Sequence, residues 1–447
     1  MTGVAVKDHP ATRQFDATVA KDGRGDYESI AEAFAEGNRT VFVKNGTYVE
    51  TSDIVMPSGG VLQGETAGET LIYFAGTASQ IKADAGAAKE TAGTVSVPNG
   101  STTVTGVGTS FTSLPDPSTN YVFIRLHAAY HLVASITDDT HLELQSTFRG
   151  RAISGIAYEA RGMFAGLTIS SLIVVGGLGV GIYLRGIQHA VLEKIVSKKH
   201  GSHGLELVDC TAAFLLGGGA EDVGGVGVKL TSCTMIELQA GYAQNSVSHG
   251  FQLTGCEKCI FAECVAVQNG GDGLMVDGAT EATNVTDSQF CDNNGKGANT
   301  EPGTKATLIA SGMICRNGGD GIDYDGQYNL VEGCLIGENG GVGIQGGDDG
   351  VLANNQVIGN TGVGIQCGND PDCVIEGNRV ENNGGHGIVA DDRSVVSNNK
   401  VKNNSAAGKG IDLSGATNCT CVGNVVSGHT TEISVGTGND VAHNITL

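Results

Sequence analysis

Residues 379–411, RVENNGGHGIVADDRSVVSNNKVKNNSAAGKGI, hold one full period of this chain. A Gly followed by an apolar residue opens the period at Gly387-Ile388 and opens the next at Gly410-Ile411. The same pair stands upstream at Gly181-Ile182, Gly204-Leu205, Gly227-Val228, Gly250-Phe251 and Gly273-Leu274. It continues through Gly297-Ala298, Gly321-Ile322, Gly343-Ile344 and Gly364-Ile365. Successive starts lie 21 to 24 residues apart, a regularity that chance does not keep over so many intervals.

Three further columns run in step with the Gly. Asn245, Asn269, Asn293, Asn317, Asn339, Asn360, Asn383 and Asn404 precede it. Tyr242, Ala266, Phe290, Ile314, Ile336, Val357, Val380, Val401 and Val426 mark a second apolar strand. Val285, Val351, Val374, Val395 and Val422 seed a third. Strands this short do not support separate hairpin sheets. The Leu-x-x-Leu-x-Leu framework of leucine-rich repeats is absent. Stacked coils meet the pattern: each strand pairs in parallel about 4.8 Å above its predecessor, with Val and Ile inside and Asn bonding along the turns. The expected fold is all-β: a right-handed, single-stranded parallel β-helix. Its eleven regular coils start from Gly181 to Gly410, and further coils precede them.

Composition agrees. Gly is 70 of 447 residues but Pro only 7, which excludes a collagen-like chain. A hydrophobic share of 40% excludes a disordered tail. A net charge of −22 argues against nucleic acid and anionic membranes as partners. The opening MTGVAVKDHPATRQF has no apolar core of a signal peptide, so the expectation is synthesis in the cytoplasm with reduced thiols. Of 12 Cys, Cys210, Cys233 and Cys256 fall 23 apart and are expected to stack as small inward hydrophobes. Cys256 and Cys259 form one C-x-x-C without a second pair, so no structural metal is expected.

The chain divides into residues 1–20, an arm where particle attachment is expected, and 21–90, a cap helix with the first coils. Residues 91–150 are expected to be an inserted antiparallel β-domain, and 151–447 the main β-helix. Asp26 to Phe34 is amphipathic and reads as the cap helix. VFVKNGTYVE (41–50) and GVLQGE (60–65) resemble the opening of the pectate-lyase and pectin-esterase superfamily, which implies a β-helix. VSVPNGSTTVTGVGTSF (95–111) followed by ITDDTHLEL (136–144) resembles a small module recurrent in bacteriophage virion and tail proteins.

Acid–base work on glycans needs paired carboxylates, or a base beside a cation. One column, just before the repeat Gly, reads His203, Val226, His249, Asp272, Lys296, Asp320, Val342, Val363, His386 and Lys409. Its run His249, Asp272, Lys296, Asp320 is a candidate catalytic ladder or a solvent-facing turn position. A second column holds Asp277, Asp325, Asp348 or Asp349, Asp370 and Asp391 or Asp392, with Asp323 on the face of Asp325. These acids fit a Ca²⁺ or carbohydrate site, or ordinary Asp-Gly turns. Asp323 and Asp325 are the favoured catalytic pair; Asp277, Asp348, Asp391 and Lys198 are candidate carbohydrate contacts. Lys198 belongs to the basic cluster Lys194, Lys198, Lys199 and His200.

NNGGHGIVADD (382–392) and NGGDGIDYDG (317–326) also resemble the repeats of mannuronan C5-epimerases. The epimerase Asp-Pro-His motif is absent, its nearest match being Asp370-Pro371-Asp372. Pectin-esterase and pectate-lyase catalytic motifs are likewise absent. The resemblances together imply a phage or phage-like virion spike, commonly a homotrimer, that engages host-surface polysaccharide and touches other virion proteins. The rival expectations are a polysaccharide lyase, glycoside hydrolase or epimerase, and a purely structural virion decoration.

Overall fold

The computed structural model describes residues 14–76, 78–86, 89–127, 129–367, 371–405 and 407–447. Most of the expected arm, and Asp370, lie outside the described residues. The strand that follows the repeat Gly builds a first ladder, a 14-stranded sheet. Its pairing is parallel and in register: Ile182 lies on Leu205, Leu205 on Val228, Val228 on Phe251, and at the far end Ile411 on Ile433. The ladder starts earlier than Gly181, with Ile54–Val55 and Ile81–Asp84. Alternation sends Leu274 and Val276 inward and leaves Met275 and Asp277 on the outer face.

Two more ladders close each coil, represented by Asn284–Thr286 and Gln289–Cys291. In the early coils they are one continuous strand, as in Ile187–Lys198, Phe214–Glu221 and Glu237–Gln244. That strand bends at a residue of positive φ: Lys194, Gly217 or Ala240. In later coils the bend separates them, again at positive φ, as at Asp287, Ser311, Asn354 and Asn398. L-residues rarely adopt this conformation. Here each corner requires it, and stacked neighbours hold it in place.

The residue after such a corner turns inward, where its polar groups need partners. After the third ladder, Asn269, Asn293, Asn317, Asn339, Asn360, Asn383 and Asn404 fill this place, all buried. The Asn360 side-chain oxygen accepts from the Asn339 backbone N–H at 3.1 Å and from its amide group at 2.9 Å. The column ends on His429, whose Nε2 lies 3.2 Å from the Asn404 backbone nitrogen. A second amide column, Asn355, Asn378, Asn399, Asn424 and Asn444, lies between the second and third ladders. Asn245 differs from the expectation: it is the corner residue itself, with φ 52°, and Ser246 takes the inward place. Cys210, Cys233 and Cys256 do stack and are buried, but their thiols also donate to the Leu184, Leu207 and Leu230 carbonyls at 3.4–3.6 Å.

The third column of the sequence reading is shifted by one residue over most of its length. Val285 points inward, but at the later coils Leu352, Ile375, Val396 and Cys421 do so. Val351, Val374 and Val395 face outward in register with Leu308 and Leu330. Both faces of this strand are apolar, so alternation could not tell them apart. Phe214 and Ile260 lie in the same outer column, and Leu335 and Tyr328 are exposed beside it.

The helix Ile30–Ala35 buries Ile30, Ala33 and Phe34 against the first coils, and its N-cap Ser29 accepts the Glu32 N–H. Strands Thr94–Val97, Thr103–Val107, Tyr121–Leu126, Ala129–Asp138, His141–Leu144 and Ile153–Ile156 pair antiparallel. They enclose a separate core that includes Val95, Val104, Phe111, Ile124 and Leu142. Their pairing runs beyond residue 150 to Met163, because Glu159–Gly176 is one strand with two partners. Its start pairs with Tyr121–Arg125, and its later part lies parallel on Val61–Gln63 and Leu71–Phe74. The coil resumes in register, with Ile81 directly beneath Ile182. Arg161, fully buried, lies 2.7 Å from Asp209 and 3.1 Å from Glu159. Lys89 also reaches Asp209 at 2.7 Å, and Arg125 pairs with Glu257. Among the described residues no helix is long and apolar enough to cross a membrane.

Candidate functional site

The polar column before the repeat Gly has a structural duty. His203 Nδ1 accepts the Val226 N–H at 2.9 Å, and His249 Nδ1 accepts the Asp272 N–H at 3.0 Å. Asp272 Oδ1 accepts from Lys296 N at 2.7 Å, Asp320 Oδ1 from Val342 N at 2.6 Å, and His386 Nδ1 from Lys409 N at 2.9 Å. Each residue therefore caps the turn of the next coil. Lys296 carries no acceptor, so its side chain leaves the column and crosses the outer face of the first ladder.

That crossing builds a network. The Lys296 ammonium pairs with Asp323 Oδ2 and approaches Asn299 Oδ1 at 3.3 Å. The Asn299 amide group donates to Asp272 Oδ2 at 3.2 Å, and His249 joins through the Asp272 N–H that its Nδ1 accepts. His249, Asp272, Lys296, Asn299 and Asp323 are thus joined across the outside of successive coils. Burial by itself would lower the Lys296 ammonium, but the bond to Asp323 and the nearby Asp320 and Asp272 carboxylates raise it above the usual value. Burial raises the Asp320 carboxyl, as does the neighbouring Asp323 charge. The same two causes, burial first, raise Asp325. Asp323 Oδ1 is buried without a protein donor, as is Asp277 Oδ1.

Of the candidates, the structure brings His249, Asp272, Lys296, Asp320, Asp323 and Asp325 to one region of the first ladder. Asp277 stands two coils before Asp325 on the same face and accepts from Gln252 at 3.1 Å. Asp348 and Asp391 sit in the turns beyond that ladder, half-buried. Asp391 accepts the Asp392 N–H at 2.8 Å. Lys198 is elsewhere: it ends the third-ladder part of Ile187–Lys198 and pairs with Glu221 at 2.7 Å. His200, from the same basic cluster, is buried and neutral, its imidazole pushed down to about 4 by burial. Among the described residues no three His, Cys, Asp or Glu side chains gather closely enough to hold a metal ion.

Sequence reasoning missed Asn299, Gln252, Glu206, Lys229 and Tyr183. They stack as the second residue of successive first-ladder strands, two places after the repeat Gly. Reading that position down the repeats would have found them. Lys229 pairs with Glu206 at 3.3 Å and lies 3.4 Å from His203 Nε2, an earlier counterpart of the Lys296 cluster.

Comparison with known proteins agrees with this architecture. The model of the right handed beta helix region matches residues 154–311 and 276–426, together more than half of the chain. The chain belongs to the right-handed β-helix family. No curated protein matches it. Among solved structures, this β-helix is similar to the A-module of the Azotobacter vinelandii mannuronan C-5 epimerase AlgE6. The identity is 14%, coverage 94% of this chain and 93% of that one, and the TM-score 0.49. It is also similar to the tailspike gp49 of Pseudomonas phage LKA1, at 13% identity, 93% and 71% coverage and TM-score 0.48. A third similar structure is the gp54 tailspike of Acinetobacter baumannii bacteriophage AP22, determined in complex with A. baumannii capsular saccharide. Here the identity is 10%, coverage 92% and 71%, and the TM-score 0.38.

Proposed function

We propose that this β-helix is a polysaccharide-binding spike of a phage or phage-like particle, and that the outer face of the first ladder holds the glycan. The observation that carries the reading is the network His249–Asp272–Asn299–Lys296–Asp323 across successive coils. Its groups recur at about the 4.8 Å strand spacing, close to the rise of a sugar unit. They alternate acceptor, amide and cation, the mixture that ring hydroxyls match. The resemblance of 95–111 and 136–144 to a virion module supports the particle setting.

The outer column Leu308, Leu330, Val351, Val374 and Val395 supports self-association. It is a straight apolar stripe about 20 Å long at the strand spacing, and Glu237 and Asn284 interrupt the same column before it. A rod with the same spacing covers it evenly, and further copies of this chain supply that rod, giving a homotrimer. Light scattering on the eluted protein tests this.

A second reading, a polysaccharide lyase, glycoside hydrolase or epimerase, is favoured by one observation. Asp320 and Asp325, both raised, flank Asp323 and Lys296, which is the make-up of an acid beside a base. Incubation with host capsule or lipopolysaccharide, followed by size analysis of the sugar, tests both. Binding without shortening supports the spike and sinks cleavage. Shortening that is lost in Asp323→Asn and Asp325→Asn while binding persists supports the enzyme. No binding at all leaves a structural decoration.

A further inference from the structure

A cleft lies away from this face, where the inserted module meets the first coils. Its volume is about 620 Å³. The solenoid supplies Arg39 and Ser58, the module supplies Asn120, Tyr121 and Gln145, and Met163 lies at its base. Both walls are built. Ser58 Oγ accepts the Ala165 N–H at 3.1 Å, and Gly59 N donates to Gly166 O at 3.0 Å. On the module side, Asp116 organises the loop: its Oδ1 accepts Ser118 N at 2.9 Å, and its carbonyl accepts Asn120 N at 3.0 Å.

The chemistry of the lining is unlike that of the rest of the chain. Asp and Glu number 48 of 447 residues, yet among the described residues no carboxylate lines this cleft. Two acids that border the lining residues are already engaged. Asp16 accepts the Arg39 and Thr40 backbone N–H groups, both at 2.9 Å, and Asp116 is held in its own turn. What remains is one guanidinium, the Gln145 amide, the Asn120 side-chain oxygen (its nitrogen is held by Asp116 O and Thr119 Oγ1), hydroxyls, and the Tyr121 ring at 48% exposure. A ring face stacks on a pyranose, amides and hydroxyls match its hydroxyl groups, and a guanidinium takes a carboxylate in a fork.

We infer that the junction cleft is a second saccharide site, separate from the first-ladder face, and that it takes a short oligosaccharide bearing a carboxylate. Arg39 receives the carboxylate and Tyr121 receives a ring. The site exists only because the module is docked, since the module and the solenoid each supply one wall. This explains what an insertion between early coils contributes beyond bulk.

The test is calorimetric titration of the full chain with trigalacturonic acid and, separately, with neutral maltotriose. Wild type is expected to bind the acid, and Arg39→Gln is expected to weaken it at least about tenfold. Ala134→Trp, placed on the exposed wall of the cleft, fills the space and is expected to abolish binding. Host-capsule binding is read on the same variants and is expected to persist in Ala134→Trp, so this inference and the proposed function fail separately. Absence of binding at about 10 mM, binding indifferent to both cleft variants, or equal binding of maltotriose overturns it. A circular dichroism melt matching wild type for Arg39→Gln and Ala134→Trp excludes misfolding as the cause of their loss.

Discussion

At the corner after the third ladder, the early coils place His200, Val223 and Ser246, and the later coils place Asn269 through Asn404. The period is the same in both regions; the chemistry of the corner is not. In the later coils the strands at the second and third ladders shrink to three residues, as in Gln289–Cys291 and Arg379–Glu381. Little backbone pairing is left there, and the amide column ties each corner to the next. The early coils keep the long strands Ile187–Lys198 and Phe214–Glu221 and need no such column. They bear a different load: the module is clamped to them through Asp209 and Glu257. One repeat is thus stabilised by long strands where it carries a foreign domain and by stacked amides where it stands alone.

The largest expected effect breaks the early region. Asp209→Ala leaves the Arg161 guanidinium, fully buried, without its 2.7 Å partner. Glu159, 3.1 Å away, is then its remaining acid partner, and breaking the buried pair costs about 3 kcal/mol. Denaturant unfolding is expected to show this as a lower midpoint, with the module released first in limited proteolysis. The double variant Arg161→Met, Asp209→Leu is expected to recover most of the loss, since a buried ion pair adds little over packed apolar groups. If Asp209→Ala unfolds as wild type does, the clamp is not what holds the module.

The second effect compares two positions of one column. Asn339→Ala removes the oxygen that accepts both the Asn317 backbone N–H, at 3.0 Å, and its amide group, at 2.9 Å. Two buried donors are stranded, at a cost of about 3 kcal/mol. Ser246→Ala, one column place in the early region, removes a hydroxyl that no protein group satisfies. It is expected to change stability by less than about 0.5 kcal/mol. Equal midpoints for the two variants in urea would show that the amide column is filler rather than support.

The repeat was plain in the sequence because Gly and an inward apolar residue recur where the chain has one allowed solution. Packing within its own coil and against the next leaves almost no room for a Cβ at Gly387 or Gly364, where one would lie 2.4 Å or less from Val401 or Val380. The Asn column was visible for the same reason. The outer valines Val351, Val374 and Val395 were not, because an outer apolar column reads like a core. The end of the module was hidden inside Glu159–Gly176, a strand that changes partners without any break in pattern. Within the site, the charged members His249, Asp272, Lys296, Asp320 and Asp323 stood out by residue type. Asn299 joins them into one network yet carries no charge to draw the eye, and the capping duty of His249 and Asp272 depends on distances that spacing alone does not give.

The smallest effect at neutral pH sharpens the comparison at the point where the column begins. His200 occupies the inward place later given to Asn, and burial holds its imidazole at about 4 although Val174 O, 3.3 Å away, favours the proton. In the unfolded chain a histidine titrates near about 6.5. Below that value the unfolded state takes up a proton that the folded state refuses, so stability is full above about 6.5 and falls as pH drops toward 4. The loss approaches about 3 kcal/mol at the lower end. His200→Asn places an amide at the inward position and has nothing to titrate. Its melting temperature is expected to decline less than that of wild type between pH 6.5 and 4. Parallel curves would mean that His200 is not the source of the acid sensitivity.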